Sequence, residues 1–197
     1  MDIEVILFDL GGVLVELSGV GTMMQWTRLG EAEIWHRWLH SDAVRKFESG
    51  KSTPAEFGQA VVQEFELSTS PDVFMEAFVQ WPSGLFDGVV ELLQRLSPRY
   101  HVSCLSNTNH LHWKRFETET RLLDNLHSHF ASHHIGMMKP DIEIYHHVIR
   151  ALDTPAGKIL FFDDNQLNVD AARKAGMNAL LARGVGEVER HLENLGL

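Results

Sequence analysis

Cysteine is all but missing from this chain: Cys104 stands alone among 197 residues. One thiol excludes an internal disulfide framework and any cysteine-rich zinc centre. No uninterrupted apolar tract approaches the roughly 18 residues of a spanning helix. Basic charge is in deficit, with 17 Lys+Arg against 27 Asp+Glu and a formal charge of −10 with histidines neutral. Nucleic acid and anionic membrane both reward clustered Lys and Arg, so neither is expected as a partner. The opening MDIEVILFDLGG has acids where a secretion leader needs bases, and no cleavage site follows, so a cytoplasmic protein is expected. Internal repeats and low-complexity tracts are lacking too. Gly184-Val185-Gly186 lacks the wider pattern of a dinucleotide fingerprint.

What is present is the make-up of a soluble globular protein, 44% apolar and 22% charged. The length suits one domain carrying an insertion, at roughly 150 residues per domain. A chain of this size buries about 70% of its unfolded surface and needs no disulfide or metal staple.

Val5-Ile6-Leu7-Phe8 is a short apolar run that ends at Asp9 and meets Gly11-Gly12, the pattern of a buried strand stopped by a tight turn. Val102 to Leu105, Ile159 to Phe162 and Met177 to Ala182 repeat it. Between them lie amphipathic segments, with Val89, Leu92, Leu93 and Leu96 on one face and Ile142, Tyr145, Val148, Ile149 and Leu152 on another. Strands alternating with helices predict an α/β fold, doubly wound around a mostly parallel, Rossmann-like sheet. The interval from 16 to 86 breaks the rhythm with helical patterns only: Met23 to Leu39, Ala43 to Glu48, Pro54 to Glu66 and Pro71 to Val79. Ser41, Thr53 and Ser70 are the expected N-caps. The expected division is therefore an α/β core of residues 1–15 and 87–197 with an all-helical cap of residues 16–86 inserted after the first strand.

Three of these strands end in polar residues, and in an open parallel sheet such ends converge on one crevice. Asp9, Ser106-Asn107 and Asp163-Asp164 are thus expected to face one another. Lys139 joins them from Met137-Met138-Lys139-Pro140, where Pro140 is expected to open a helix and to hold Lys139 extended toward the crevice.

FDLGGVL at 8–14, LSNTN at 105–109, MKPD at 138–141 and FFDDNQLNVDAA at 161–172 together resemble the four ordered motifs of the haloacid dehalogenase-like superfamily. The likeness spans nearly the whole chain. The helical insertion, including Phe47-Glu48-Ser49-Gly50-Lys51-Ser52, is similar to the cap many members carry. The nearest likeness is to sugar-phosphate phosphatases and to the phosphatase domains of epoxide hydrolases. The resemblance implies Asp9 as nucleophile, forming an aspartyl-phosphate that water hydrolyses. Lys139 and Ser106 would supply charge and a donor around the phosphate, with Asn107, Gly11, Gly12 and Glu48 as substrate contacts. Mg²⁺ would take Asp9, the carbonyl of Gly11 and Asp164. Asp163 would partner Lys139, and Asn168, four residues beyond Asp164, would orient the metal shell.

One departure stands out. The phosphatases of this family usually carry a second Asp two residues after the nucleophile as general acid and base; here that position is Gly11. The missing group leaves three readings: activity confined to good leaving groups, a surrogate donor such as Glu48 or a histidine, or lost catalysis. The function expected is a Mg²⁺-dependent phosphatase for a small phosphorylated metabolite, sugar phosphates among the candidates, as monomer or homodimer. A metal-independent hydrolytic dehalogenase and a catalytically silent phosphate-binding protein are the alternatives.

Plainer readings exist for several residues. Asp9 alone could be a turn residue, and Ser106-Asn107 and Asp163-Asp164 could be helix caps. His36 and His40 have metal-like i,i+4 spacing but no third ligand, and His127, His129, His133 and His134 flank an expected strand. Trp26, Trp35, Trp38, Phe47 and Phe57 suit a cap core or a sugar-stacking surface. Cys104 is expected to be a buried packing residue.

Overall fold

The computed structural model describes residues 2–197. Strand β1 (Val5–Phe8) is fully buried and lies at the centre of a five-stranded sheet. On one side it pairs with β4 (His101–Ser106) and then β5 (Ser128–Ala131); on the other with β6 (Ile159–Asp163) and then β7 (Asn178–Leu181), every pairing parallel. The period of two sends alternate side chains to opposite faces. Ile6, Phe8, Val102, Cys104, Leu160 and Phe162 pack with α6 (Val89–Leu96) and α11 (Gly184–Leu195). Val5, Leu7, Leu105, Ile159 and Phe161 pack with α9 (Ile142–Leu152) and α10 (Gln166–Lys174). The result is a three-layer sandwich, buried on both faces, as a parallel sheet requires. Because β1 lies between strands reached by crossovers in opposite directions, the switch point opens above its carboxyl end.

After β1 the chain turns at Leu10–Gly12 and enters a separate helical layer: α1 (Gly19–Met23), α2 (Glu31–His40), α3 (Asp42–Glu48), α4 (Pro54–Glu64) and α5 (Pro71–Val79). This layer has its own core of Met23, Ile34, Val44, Phe47, Phe57, Val61, Phe65, Phe74, Phe78 and Trp81. Ser41, Thr53 and Ser70 each accept an N-capping hydrogen bond, and Thr53 with Glu56 closes a full capping box.

Two expectations fail here. The interval is not purely helical, because β2 (Val15–Leu17) pairs antiparallel with β3 (Pro82–Leu85) where the chain enters and leaves the layer. The helix expected from Met23 to Leu39 is two helices, since α1 stops at Met23 and Gly30 caps α2 in extended conformation. Among the described residues no helix is long and apolar enough to cross a membrane.

Candidate active site

Register decides which side chains meet. Phe8 lies beside Cys104 on one neighbour and Phe162 on the other, so the next residue up, Asp9, stands level with Leu105 and Asp163. The backbone N–H of Leu10 donates to Asp9 Oδ1 at 2.7 Å and fixes the carboxylate over the sheet edge. Lys139 Nζ reaches Asp9 Oδ1 at 2.9 Å and Asp163 Oδ2 at 2.6 Å. Asp9, Lys139 and Asp163 are all buried, and a buried ammonium survives only with such partners.

The shell around this triad is closed by amides. Asn168 Nδ2 donates to both oxygens of Asp163, at 2.9 and 3.1 Å. This corrects the expectation that Asn168 attends Asp164. That expectation needed both residues in one helical turn, and α10 begins only at Gln166. Asn107 Nδ2 donates to the carbonyl of Lys139 while Asn107 Oδ1 accepts the Lys139 N–H, both at 2.9 Å. Its amide therefore holds the lysine's backbone and is already engaged at both ends. Pro140 does not open a helix: α9 starts at Ile142 behind Asp141, and the Lys139–Pro140 peptide is cis within the preceding turn. Buried Ser106 stands at the end of β4, its Oγ donating to the carbonyl of Asn107 at 3.4 Å.

Three carboxylates share this end of the sheet. Asp9, Asp163 and Asp164 each offer an oxygen, all within 4.8 Å of one another. Burial first, and then the charges of Asp163 and Asp164, push the Asp9 carboxyl up to about 8 despite Lys139. Asp164 is also raised, by burial and by Asp163. Burial works to lower the Lys139 pKa, but Asp163 and Asp9 outweigh it and hold the ammonium charged. One cation is too few for three carboxylates, so the cluster is short of positive charge. Gly12 adds to the fit. With φ +75° it runs so close to Asp164 that a Cβ there would stand 2.4 Å from Oδ2. The bridge pairing Gly11 with Val15 uses the Leu10 carbonyl and the Gly12 N–H, leaving the Gly11 carbonyl free of it. An all-oxygen donor set of this kind suits a hard divalent cation.

The helical layer sits directly over this end. Glu48, at the end of α3, is half-buried, and burial pushes its carboxyl up to about 7 against the pull of Lys139. Its backbone carbonyl accepts from Ser132 Oγ at 2.6 Å. Arg45 forms an ion pair with Asp141. In α7 (His110–Thr118), His112 is buried as a neutral ring, with Nε2 2.7 Å from the carbonyl of Phe78 and Nδ1 3.1 Å from Asn109 Nδ2. Beside these contacts a groove of about 470 Å³ runs between Arg45, Lys46, Ser49 and Lys51 on one wall and Met137 and Met138 on the other; none of the three clustered carboxylates lines it.

Ser132, His112 and Tyr145, whose hydroxyl donates to the Asn168 carbonyl at 3.0 Å, carry no motif that would have marked them in sequence. Among the described residues the histidines form no three-ligand group. Phe47 and Phe57 belong to the core of the helical layer, Trp26 and Trp38 pack partly against it, and Trp35 is 40% exposed. Cys104 is buried and its thiol pushed up to about 12, so it is inert.

The haloacid dehalogenase-like hydrolase family matches residues 3–176. A sesquiterpene phosphatase of Aspergillus oryzae is 29% identical over 189 residues, 88% of this chain and 87% of that protein. A D-ribitol-5-phosphate phosphatase of Bacteroides thetaiotaomicron is 27% identical over 187 residues, 88% of this chain and 89% of that protein. The chain also matches a drimenol cyclase of Aspergillus calidoustus at 26% identity but spans only 36% of its length. Among solved structures, a HAD family enzyme from Bacteroides thetaiotaomicron in complex with magnesium and inorganic phosphate superposes with a TM-score of 0.74 at 25% identity, over 92% of this chain and 94% of that one.

Proposed function

The chain belongs to the haloacid dehalogenase-like hydrolases, and from that premise we propose that it hydrolyses small phosphate monoesters through an aspartyl-phosphate on Asp9. The observation that carries the reading is the buried chain of contacts Asn168–Asp163–Lys139–Asp9, standing beside Asp164 at the switch point of the sheet. Lys139 holds the Asp9 carboxylate in place and offers its charge to an incoming phosphate. Asp9 attacks phosphorus, the ester oxygen leaves, and water then cleaves the acyl phosphate. Asp163 fixes the ammonium and is itself fixed by Asn168. Ser106 supplies a hydroxyl donor at the neighbouring strand end. Asp9, Asp164 and the Gly11 carbonyl would hold Mg²⁺, which when bound supplies charge neutralisation at the phosphate and among the carboxylates.

In this reading residues 1–15 and 87–197 are the catalytic body and residues 16–86 the cap that excludes water and selects the substrate. Support for a phosphorylated metabolite comes from the sesquiterpene and ribitol-phosphate phosphatases similar to this chain. Sugar or alditol phosphates and prenyl-type phosphates are therefore the two panels to try.

Phosphate release from both panels, with Mg²⁺ and with chelator, is the test. The wild type should turn over only with Mg²⁺, and Asp9→Asn should lose on the order of 10⁴-fold in kcat. Metal-independent halide release from 2-haloacids would replace this reading with a dehalogenase. Phosphate-dependent thermal stabilisation without turnover on any substrate would replace it with a binding protein.

A further inference from the structure

Position 11 holds no carboxyl, and the end of the Leu17 side chain lies over it. A Cβ on Gly11 would stand 2.9 Å from Leu17 Cδ1, so the neighbour of this turn is an apolar methyl and not a polar group. A phosphatase built this way has no proton donor on that turn.

Glu48 is a carboxyl of the helical layer whose backbone is held against this end of the body. Three contacts pin the end of α3 onto the body of the protein: the Arg45–Asp141 ion pair, the Ser132 hydroxyl on the Glu48 carbonyl, and Gly50. At Gly50, with φ +72°, a Cβ would stand 2.7 Å from the His133 carbonyl oxygen. Ser132 Oγ also accepts the N–H of Thr108, two residues past Ser106, at 2.9 Å. The backbone of Glu48 is thereby tied to the loop that follows Ser106. Its side chain forms no ion pair or hydrogen bond with any described residue, and it feels the charge of Lys139, which is bonded to Asp9.

Resting on the phosphatase reading above, we propose that Glu48, reaching in from the helical layer, is the general acid and base that Gly11 cannot provide. In the first half-reaction the bond from Asp9 to phosphorus forms as the ester P–O bond breaks, and the Glu48 proton moves to the departing oxygen. In the second, water adds to phosphorus, the Asp9–phosphorus bond breaks, and the water proton returns to Glu48. A half-buried carboxyl titrating near neutrality is suited to both roles.

The experiment compares Glu48→Gln and Glu48→Asp with wild type by rapid-mix kinetics on two substrates, an alkyl or sugar phosphate and p-nitrophenyl phosphate. The first has a leaving group that needs a proton and the second does not. Glu48→Gln should slow phosphorylation of Asp9 by the alkyl substrate about 10²- to 10⁴-fold. With p-nitrophenyl phosphate it should give a stoichiometric burst followed by slow turnover, with phosphorylated Asp9 accumulating. Glu48→Asp, folded by the same thermal criterion, should fall between. Equal losses in the phosphorylation step on both substrates, or no loss in either step, overturn the proposal. A wild type that releases phosphate from neither substrate defeats the phosphatase reading itself, a result distinct from a silent Glu48.

Discussion

Two regions of this molecule are equally buried and are built on opposite principles. At the carboxyl end of the sheet the chain buries charge: Asp9, Lys139 and Asp163, each in contact with another. In the helical layer it buries rings. Phe47 and Phe57 stack with centroids 4.2 Å apart, Phe78 stacks on Phe74, and Phe78 meets Phe57 and Trp81 edge-on. Rings stabilise wherever they exclude water, so their contribution depends on volume and shape. Buried charges stabilise only when every partner is present. The ring region can therefore change with a graded loss of stability, whereas the charged region fails when any one partner is removed.

Removing a partner from the charged region should produce the largest effect. Lys139→Ala leaves three carboxylates facing one another; it should cost about 4 kcal/mol in denaturant unfolding and at least about 10²-fold in turnover. Millimolar Mg²⁺ should recover part of the stability and little of the rate. An unchanged unfolding midpoint would show that the triad is not the strained side of the comparison.

Phe57→Ala opens a cavity among the rings. It should lower stability by about 3 kcal/mol while leaving kcat per folded molecule within a few-fold of wild type. A loss in kcat as deep as that of Lys139→Ala would erase the distinction between the two regions.

His112, buried against Phe78, gives a smaller, pH-dependent effect. Burial, with Arg115 assisting, depresses its pKa to about 4, against the raising influence of the Phe78 carbonyl. The unfolded chain takes up this proton near pH 6.5 and the folded chain does not. The stabilisation is thus complete above that pH and is lost as pH falls toward about 4. Between pH 7 and pH 5 it should amount to about 2 kcal/mol, read as a slope in unfolding free energy that His112→Gln flattens.

The charged region was the more legible in sequence. Val5–Phe8, Val102–Leu105 and Ile159–Phe162 are short apolar runs whose polar ends mark where a parallel sheet gathers its chemistry, so the convergence of Asp9, Ser106 and Asp163 could be foreseen. What stayed hidden were partnerships with backbone. The Asn107 amide on Lys139 and the Ser132 hydroxyl on Glu48 link side chains to carbonyls and N–H groups that every residue possesses. The bond from Asn168 to Asp163 is hidden as well, because spacing gives the helix face but not the residue at which the helix starts. Strands β2 and β3 escaped for a different reason: three and four residues long, half exposed and holding a proline and a glycine, they show no period to read.

That small ribbon has an architectural consequence. Because β2 and β3 lie side by side, the chain departs from and returns to nearly the same point, and everything between them is a closed loop hung from a two-stranded stem. Closing such a loop depends on its length only logarithmically, about 0.6 kcal/mol for each doubling. Helices can be added, shortened or exchanged beyond the stem at little energetic cost to the sheet beneath it. The helical layer is thus a part that can be rewritten helix by helix, so long as the end of α3 keeps its hold on the body through Arg45–Asp141 and Ser132.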